Sequence, residues 1–382
     1  MMRIGIEAQR LFRPHKHGMD RVVLELIKNL QKIDTQNQYF IFVKPDEDRN
    51  VIQSTKNFNI VEIPGRLYPF WEQVELPKFV KEYQCDLLHC TSSTAPLKVE
   101  SKLITTLHDI IFKEEGILKQ LISSASWYQK IGNLYRRFLV NDVVKKSSRL
   151  ITVSNFEKEN IMNTFQLDDQ KITTVHNGVH KGFKNCFDKY QKEEIRNKYK
   201  LPEQYLFHIG NKEPRKNTKR VLDAFYKLKL TQFKDMILVI IGINEATLNS
   251  MLDEMCIPYL LKKDILITAY ISDEDLPVIY NLASLFLFPS LREGFGIPII
   301  EAMASGVPVI TSNTSSMPEV SGGCAHLIDP TSTEELTKAI IHILSDQEYR
   351  ERLIGRGLKQ SQAFSWAQSA KNVLEIYEQF NN

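Results

Sequence analysis

The stretch Leu285 to Ile310, LFLFPSLREGFGIPIIEAMASGVPVI, leaves the chain few folds to choose from. Its apolar run Leu285 to Phe288 reads as a buried parallel strand. Pro289 stops that strand, and Gly294 and Gly296, on either side of Phe295, admit backbone angles that other residues resist. Pro298 suits the first turn of a helix, where its missing N–H costs nothing. The helix carries Glu301, ends at Gly306 and gives way to a second apolar strand, Val307 to Ile310. Strand, glycine turn, helix, strand is the repeating unit of a parallel sheet covered by helices.

In open parallel sheets ligands sit beyond the carboxyl ends of the strands, where this glycine turn and helix start lie. Backbone N–H groups and the positive helix end near Ile297 favour a phosphate there. A carboxylate such as Glu301, at the end of the first helical turn, can accept two hydrogen bonds from neighbouring hydroxyls, the pattern a ribose offers. The same spacing also fits a plain βαβ unit whose glutamates, Glu293 and Glu301, are solvated helix-end charges. Spacing alone leaves both readings open.

At 382 residues the chain suits two domains rather than one core. An apolar content of 43% and a charged content of 25% are those of a soluble globular protein. Runs such as Met236 to Ile243 fall far short of the roughly 20 residues that a membrane span needs. The start goes straight into a strand pattern and lacks the apolar core of a signal peptide. The 5 cysteines (Cys85, Cys90, Cys186, Cys256, Cys324) are odd in number and scattered, which argues for a reducing compartment and against disulfides or a zinc site. A cytoplasmic location follows as the expectation. The net charge of +3 carries little information, and the basic clusters occur without a nucleic-acid motif, so no nucleic-acid partner is expected.

Taken in order, Arg3 to Glu7 reads as a first strand, followed by a loop and then Gly18-Met19-Asp20-Arg21. Asp20 reads as the cap of a helix with the apolar stripe Val22, Val23, Leu26, Ile27, Leu30 and Ile33. Further strands are expected at Tyr39 to Val43, Leu87 to His89, Leu103 to Leu107, Leu150 to Val153 and Ile172 to Val175. His108 and Asp109 stand at the end of one of them, where a polar strand end is the simplest reading. A polar stretch from His180 to Tyr199 suits a linker and an exposed helix. The strand pattern restarts at Tyr205 to Ile209, and Asn217 is a candidate cap for the helix that follows. Strands are expected again at Met236 to Gly242, Asp264 to Tyr270 and Ala325 to Ile328.

Arg215 and Lys216 lie between the Tyr205 strand and its helix. Two adjacent cations at a helix N-terminus oppose the macrodipole, which an anion bound there would explain. Arginine offers a fork to phosphate oxygens and lysine a point charge, so the pair could hold a diphosphate. A solvated basic turn is the alternative. Asp46-Glu47-Asp48 and Asp273-Glu274-Asp275 match an acidic triplet that can hold a divalent metal against a diphosphate. Both read as structural here, the second as the acidic first turn of a helix, and no metal is expected.

Glu293-Gly-Phe-Gly-Ile-Pro-Ile-Ile-Glu301 resembles the E-x7-E element of the retaining glycosyltransferases of family 4, and the resemblance runs from end to end of the chain. It implies the GT-B fold: α/β, two Rossmann-like doubly wound domains facing a cleft, with a C-terminal helix crossing back to the first. Residues 1–183 with the returning helix 366–382 would form the acceptor side, and residues 184–365 the nucleotide-sugar side. Gly18-Met19 falls where the family carries a small-residue pair in its N-terminal loop, and His108 where a histidine faces the transferred sugar. Arg215 and Lys216 match the diphosphate site, with Asn211 a departure, since many relatives have arginine there. Gly294, Phe295, Gly296, Ile297 and Glu301 match donor-binding positions, Glu301 on the ribose and Glu293 on the hexose.

The implied chemistry is transfer with retained anomeric configuration, an oxocarbenium-like transition state and no cofactor or metal. The resemblance is greatest to mannosyltransferases of bacterial surface-polysaccharide assembly. Mannose from GDP-mannose, moved to a glycan or lipid-linked acceptor, is therefore the first expectation; base, hexose, acceptor and linkage stay open. A nucleotide-sugar 2-epimerase on the same architecture and a non-catalytic sugar-nucleotide-binding protein are the alternatives. The basic stretch Gly132 to Ser147 could lie on anionic lipid at the inner face of the cytoplasmic membrane, or simply pack on its own domain.

Overall fold

The computed structural model describes residues 1–65, 67–114, 127–268 and 271–381. The chain divides into two compact units, Met1–Gly178 with Ser365–Asn382, and Val179–Phe364. The crossings thus fall at Gly178/Val179 and Phe364/Ser365, where the sequence reading put them after residues 183 and 365.

The first unit is built on a parallel sheet of seven strands: β1 (Arg3–Glu7), β2 (Gln38–Val43), β3 (Phe58–Glu62), β4 (Leu87–Cys90), β5 (Lys102–Leu107), β6 (Arg149–Thr152) and β7 (Ile172–Thr174). Their order is β3-β2-β1-β4-β5-β6-β7. The winding reverses between β1 and β4, where Glu7 pairs with Cys90 at the carboxyl ends. Such reversals open a crevice at the strand ends, the usual ligand position in this architecture. The β3 strand escaped the sequence reading because Phe58-Asn59-Ile60-Val61-Glu62 mixes polar and apolar residues at the edge of the sheet.

Asp20 is not the cap of its helix. The helix begins at Gly18, and the Asp20 carboxylate, in the first turn, accepts the His17 N–H at 3.0 Å. Most of the stripe is as expected: Val23, Ile27 and Leu30 pack against Ala370, Val373, Ile376 and Tyr377 of the returning helix Trp366–Glu378, whereas Val22 is half-buried and Ile33 is exposed. Gly178 is obligatory at this approach, because a Cβ there would lie 2.2 Å from the Trp366 nitrogen. The returning helix is also tied by a buried polar chain. The His89 Nδ1 meets the Tyr377 hydroxyl at 2.6 Å, and its Nε2 meets Thr106 Oγ1 at 2.8 Å. Burial, helped by the nearby His108, depresses the His89 pKa to about 3 and keeps the ring neutral. Tyr377→Phe strips one ring nitrogen of its partner in a dry site, which costs about 1–3 kcal/mol. The expected result is a lower urea midpoint at an unchanged slope; an unchanged midpoint would show that this chain of bonds does not hold the helix.

The second unit has six parallel strands: β8 (Tyr205–Ile209), β9 (Ile237–Ile241), β10 (Ile265–Ile267), β11 (Leu285–Phe288), β12 (Val309–Ser312) and β13 (His326–Ile328). The order is β10-β9-β8-β11-β12-β13, so the winding reverses between β8 and β11. Strands β8 and β11 are where the sequence reading put them, β11 as a continuous buried apolar run and β8 as a mostly apolar one interrupted by His208. β12 starts two residues late, since the Val307 N–H still bonds Ala302 O and Pro308 has no N–H to give to a ladder. β10 occupies only the start of the expected Asp264 to Tyr270 strand, and residues 269–270 lie outside the described residues.

Candidate functional site

At the β8–β11 reversal two loops leave adjacent strands from the same edge of the sheet. β8 is followed by Gly210, which lies so close to β9 that a Cβ would be 2.8 Å from Ile240 Cγ2. Asn211 turns the chain by accepting the Glu213 N–H on its Oδ1 at 2.9 Å. A single helical turn, Pro214–Lys216, then presents the two cations. Asn217 ends the turn in the left-handed region (φ 62°), and its side chain does not cap the following helix, Thr218–Lys229, as expected. Its amide instead donates to Pro289 O at 2.8 Å and Pro330 O at 2.7 Å, fastening the basic turn to the ends of β11 and the loop after β13. The Leu291 N–H bonds Arg215 O at 2.7 Å and brings the second loop alongside.

This arrangement joins the Arg215–Lys216 pair, which the sequence reading gave to the diphosphate, to Glu293, which it gave to the hexose. The Glu293 carboxylate receives Lys216 Nζ at 2.7 Å on one oxygen and Arg215 at 3.3 Å on the other. Glu293 is 7% exposed. Burial pushes its carboxyl up, but the charges of Lys216 and Arg215 and its hydrogen bonds outweigh burial and hold it below the usual carboxylate range. Arg215 is also held by Glu213 at 2.7 Å, and Lys216 lies over the Phe288 ring at 5.3 Å. The cations are thus partly buried and fixed by carboxylates, not solvated.

The loop after β12 braces the glycine turn. Ser315 Oγ donates to Glu293 O at 2.7 Å and accepts from Arg292 at 3.0 Å, while Ser316 Oγ donates to Phe295 O at 2.8 Å. The sequence reading missed these serines, although a run of small polar residues directly after a buried strand was the available signal. Gly296 has φ 105°, so the turn needs glycine there, and helix Ile297–Ala304 starts at once. Phe295 is buried with its ring 5.5 Å from that of Phe364. Any contact it makes with a ligand therefore comes from its backbone. Glu301 is buried, and the Tyr280 hydroxyl donates to one of its oxygens at 3.2 Å. Tyr280, absent from the sequence reading, stands among the rings of Phe183, Phe207 and Phe286. His208 was missed as well. It joins Leu287 O at 2.9 Å to Thr218 Oγ1 at 3.2 Å, with its pKa lowered to about 4 by burial.

Gly18 and His108 belong to the first unit. Gly18 opens its helix with nothing within 4 Å of where a Cβ would stand. His108 is buried at the end of β5 and its Nε2 lies 2.9 Å from Thr91 O. A carbonyl only accepts, so that nitrogen carries the proton and Nδ1 keeps its lone pair. Burial lowers the His108 pKa and holds the ring neutral. Of the two acidic triplets, Asp48 pairs with Lys16, and Asp275 takes Lys198 at 2.6 Å and the Tyr199 hydroxyl at 2.7 Å. Among the described residues no group of three or more His, Cys, Asp or Glu could hold a metal ion.

Two family models match. Glycosyltransferase Family 4 covers residues 17–182, and Glycosyl transferases group 1 covers residues 191–360, so that between them they span most of the chain. The chain belongs to the glycosyltransferases of family 4. This glycosyltransferase is 28% identical over 312 residues to the O-antigen chain mannosyltransferase B of Escherichia coli, covering 78% of this chain and 76% of that one. It is 27% identical to the serotype-specific mannosyltransferase WbdA of Escherichia coli, of which it spans only 30%. In fold it matches HepE of Anabaena, solved with UDP-glucose, at a TM-score of 0.76 and 15% identity over 99% of this chain and 100% of that one. The architecture is GT-B.

Proposed function

We propose that this glycosyltransferase moves mannose from GDP-mannose to a glycan or lipid-linked acceptor, with retention at the anomeric carbon. The observation that carries the reading is the Arg215–Lys216–Glu293 cluster at the β8–β11 reversal, in a chain whose relatives named above are mannosyltransferases. The donor diphosphate binds Arg215, Lys216 and the backbone N–H groups at the start of helix Ile297–Ala304. Glu301 takes the ribose hydroxyls, and Glu293 faces the hexose. The bond from C1 to the diphosphate oxygen breaks with its electron pair going to the phosphate, and the cations stabilise the charge that develops there. The acceptor oxygen bonds to C1 on the same face, and its proton passes to the departing phosphate. No metal is required.

A panel of nucleotide sugars scored by thermal shift tests the donor. Ligand at about 100 times its dissociation constant stabilises by roughly 2.7 kcal/mol, and GDP-mannose should give the largest shift. A larger shift with a UDP-sugar would overturn the choice of donor.

The first unit is the acceptor side, working at the inner face of the cytoplasmic membrane. Helix Trp127–Lys146 supports peripheral contact, with Ile131 and Phe138 exposed. The same helix buries Val140, Val143 and Val144 in its own unit, and its Arg137 donates to Phe112 O and Lys113 O, so only part of it is available to lipid. Flotation with anionic liposomes should show binding that salt removes; absence of binding would remove the membrane from the account.

A further inference from the structure

The β1–β4 reversal of the first unit carries a second charged cluster that the reaction described above does not use. Glu72 lies fully buried in a π-helical turn, Trp71–Glu75, a distortion that recurs at functional sites. Its carboxylate is saturated by neutral donors: the Tyr68 hydroxyl at 2.7 Å, the Tyr135 hydroxyl at 2.6 Å, Gln73 at 2.9 Å and the Thr94 hydroxyl. Glu7, at the end of β1, is engaged by the backbone N–H groups of Gln9 at 3.0 Å and Thr91 at 3.3 Å.

The cations of the cluster are treated in the opposite way. The Arg10 guanidinium lies over the Tyr68 ring at 5.5 Å, and its Nε is buried without a hydrogen-bond partner. Tyr68 packs edge-on to Tyr135 with centroids 6.1 Å apart, and Arg136 is the next residue on that helix. Among the described residues Arg136 makes no hydrogen bond or ion pair. Burial and the charge of Arg10 bear against its cation and outweigh the pull of Tyr68, Asp109 and Glu72, so its pKa is lowered. Where carboxylates and arginines are close, forked ion pairs are the ordinary outcome. Here Glu72 and Glu7 are engaged by neutral donors, and among the described residues neither Arg10 nor Arg136 has an ion pair. Like charges held in this way call for an anion between them.

We propose that Arg10 and Arg136, set around the Tyr68–Tyr135 pair, form an oxyanion subsite of the first unit that takes a phosphate group carried by the acceptor. The assignment to the acceptor rests on the reading of the first unit as the acceptor side. A phosphate could also reach these arginines from the donor, and the experiment separates the two sources.

Inorganic pyrophosphate is titrated calorimetrically into the full chain saturated with GDP. One further binding event is expected, and Arg10→Gln and Arg136→Gln should each weaken it about ten- to hundredfold while leaving GDP affinity unchanged. Should Arg136→Gln not fold by circular dichroism, Arg10→Gln, in a half-buried turn beyond β1, reads the same subsite. Absence of the second event, or an equal event in both folded variants, overturns the subsite. Loss of GDP affinity in these variants would assign the arginines to the donor diphosphate and overturn the acceptor's claim on them. If GDP does not bind at all, the proposed donor falls, and pyrophosphate titrated into Lys216→Ala still reads the first-unit arginines alone.

Discussion

Glu293→Gln is expected to lower kcat by about a hundredfold or more while leaving nucleoside diphosphate affinity intact. Glutamine keeps the shape of the turn, and the brace from Ser315 and Ser316 to the backbone of Glu293 and Phe295 survives. On the proposed function, what is lost is the charge beside the transferred sugar. The diphosphate does not miss it, because the carboxylate competes with phosphate for Lys216 and Arg215. Glu301→Gln should do the reverse. Its remaining carbonyl oxygen can still accept the Tyr280 hydroxyl, so the fold holds, but the charged acceptor for the ribose hydroxyls is gone. Nucleoside diphosphate affinity should fall by about 1–3 kcal/mol. Calorimetric titration and steady-state kinetics on both variants decide the matter. A larger affinity loss in Glu293→Gln than in Glu301→Gln would reverse the two roles.

Lys216→Ala should cost stability as well as binding. Without Lys216 the buried Glu293 carboxylate keeps only the longer, 3.3 Å pair to Arg215. Removing one partner of a largely buried pair leaves a poorly compensated charge, here about 2 kcal/mol, below the full penalty because Arg215 remains. The pH dependence has a definite sign. The folded Glu293 pKa lies below the unfolded carboxylate value, so the pair's stabilisation is complete above that value and disappears as pH falls through the folded pKa. The gap between wild type and Lys216→Ala, measured by urea unfolding, should therefore be wide at about pH 7 and narrow in strong acid. In the double variant with Glu293→Gln the losses should fall short of their sum by at least about 1 kcal/mol. Strict additivity would mean that the contact does not matter energetically.

Much of this was legible in the sequence where a single local rule decides. Leu285 to Phe288 is buried on both faces, so periodicity was not needed to recognise a strand, and Gly296 proves to be the position that needs φ 105°. The reading failed where partners are distant in sequence. Asn217 looked like a helix cap because helix signals are local, yet its amide serves carbonyls at Pro289 and Pro330. Arg215, Lys216 and Glu293 were all singled out, but sequence carries no distance between residues some 77 positions apart, and their ion pairs emerged only when β8 and β11 were seen side by side. The same holds for Tyr280 against Glu301 and for Glu72 among its four donors. Isolated buried polar residues within apolar runs have no periodic signature, and their partners come from other elements.

Under the proposed function, Lys216 faces the terminal phosphate of the donor's leaving group. This contact is tested most directly by a binding cycle between residue and ligand, with GDP and GMP each titrated into wild type and Lys216→Ala. The alanine variant should lose roughly ten- to hundredfold in affinity for GDP and almost none for GMP, which lacks that phosphate. Equal losses for both nucleotides, or no loss for either in the folded variant, would contradict it.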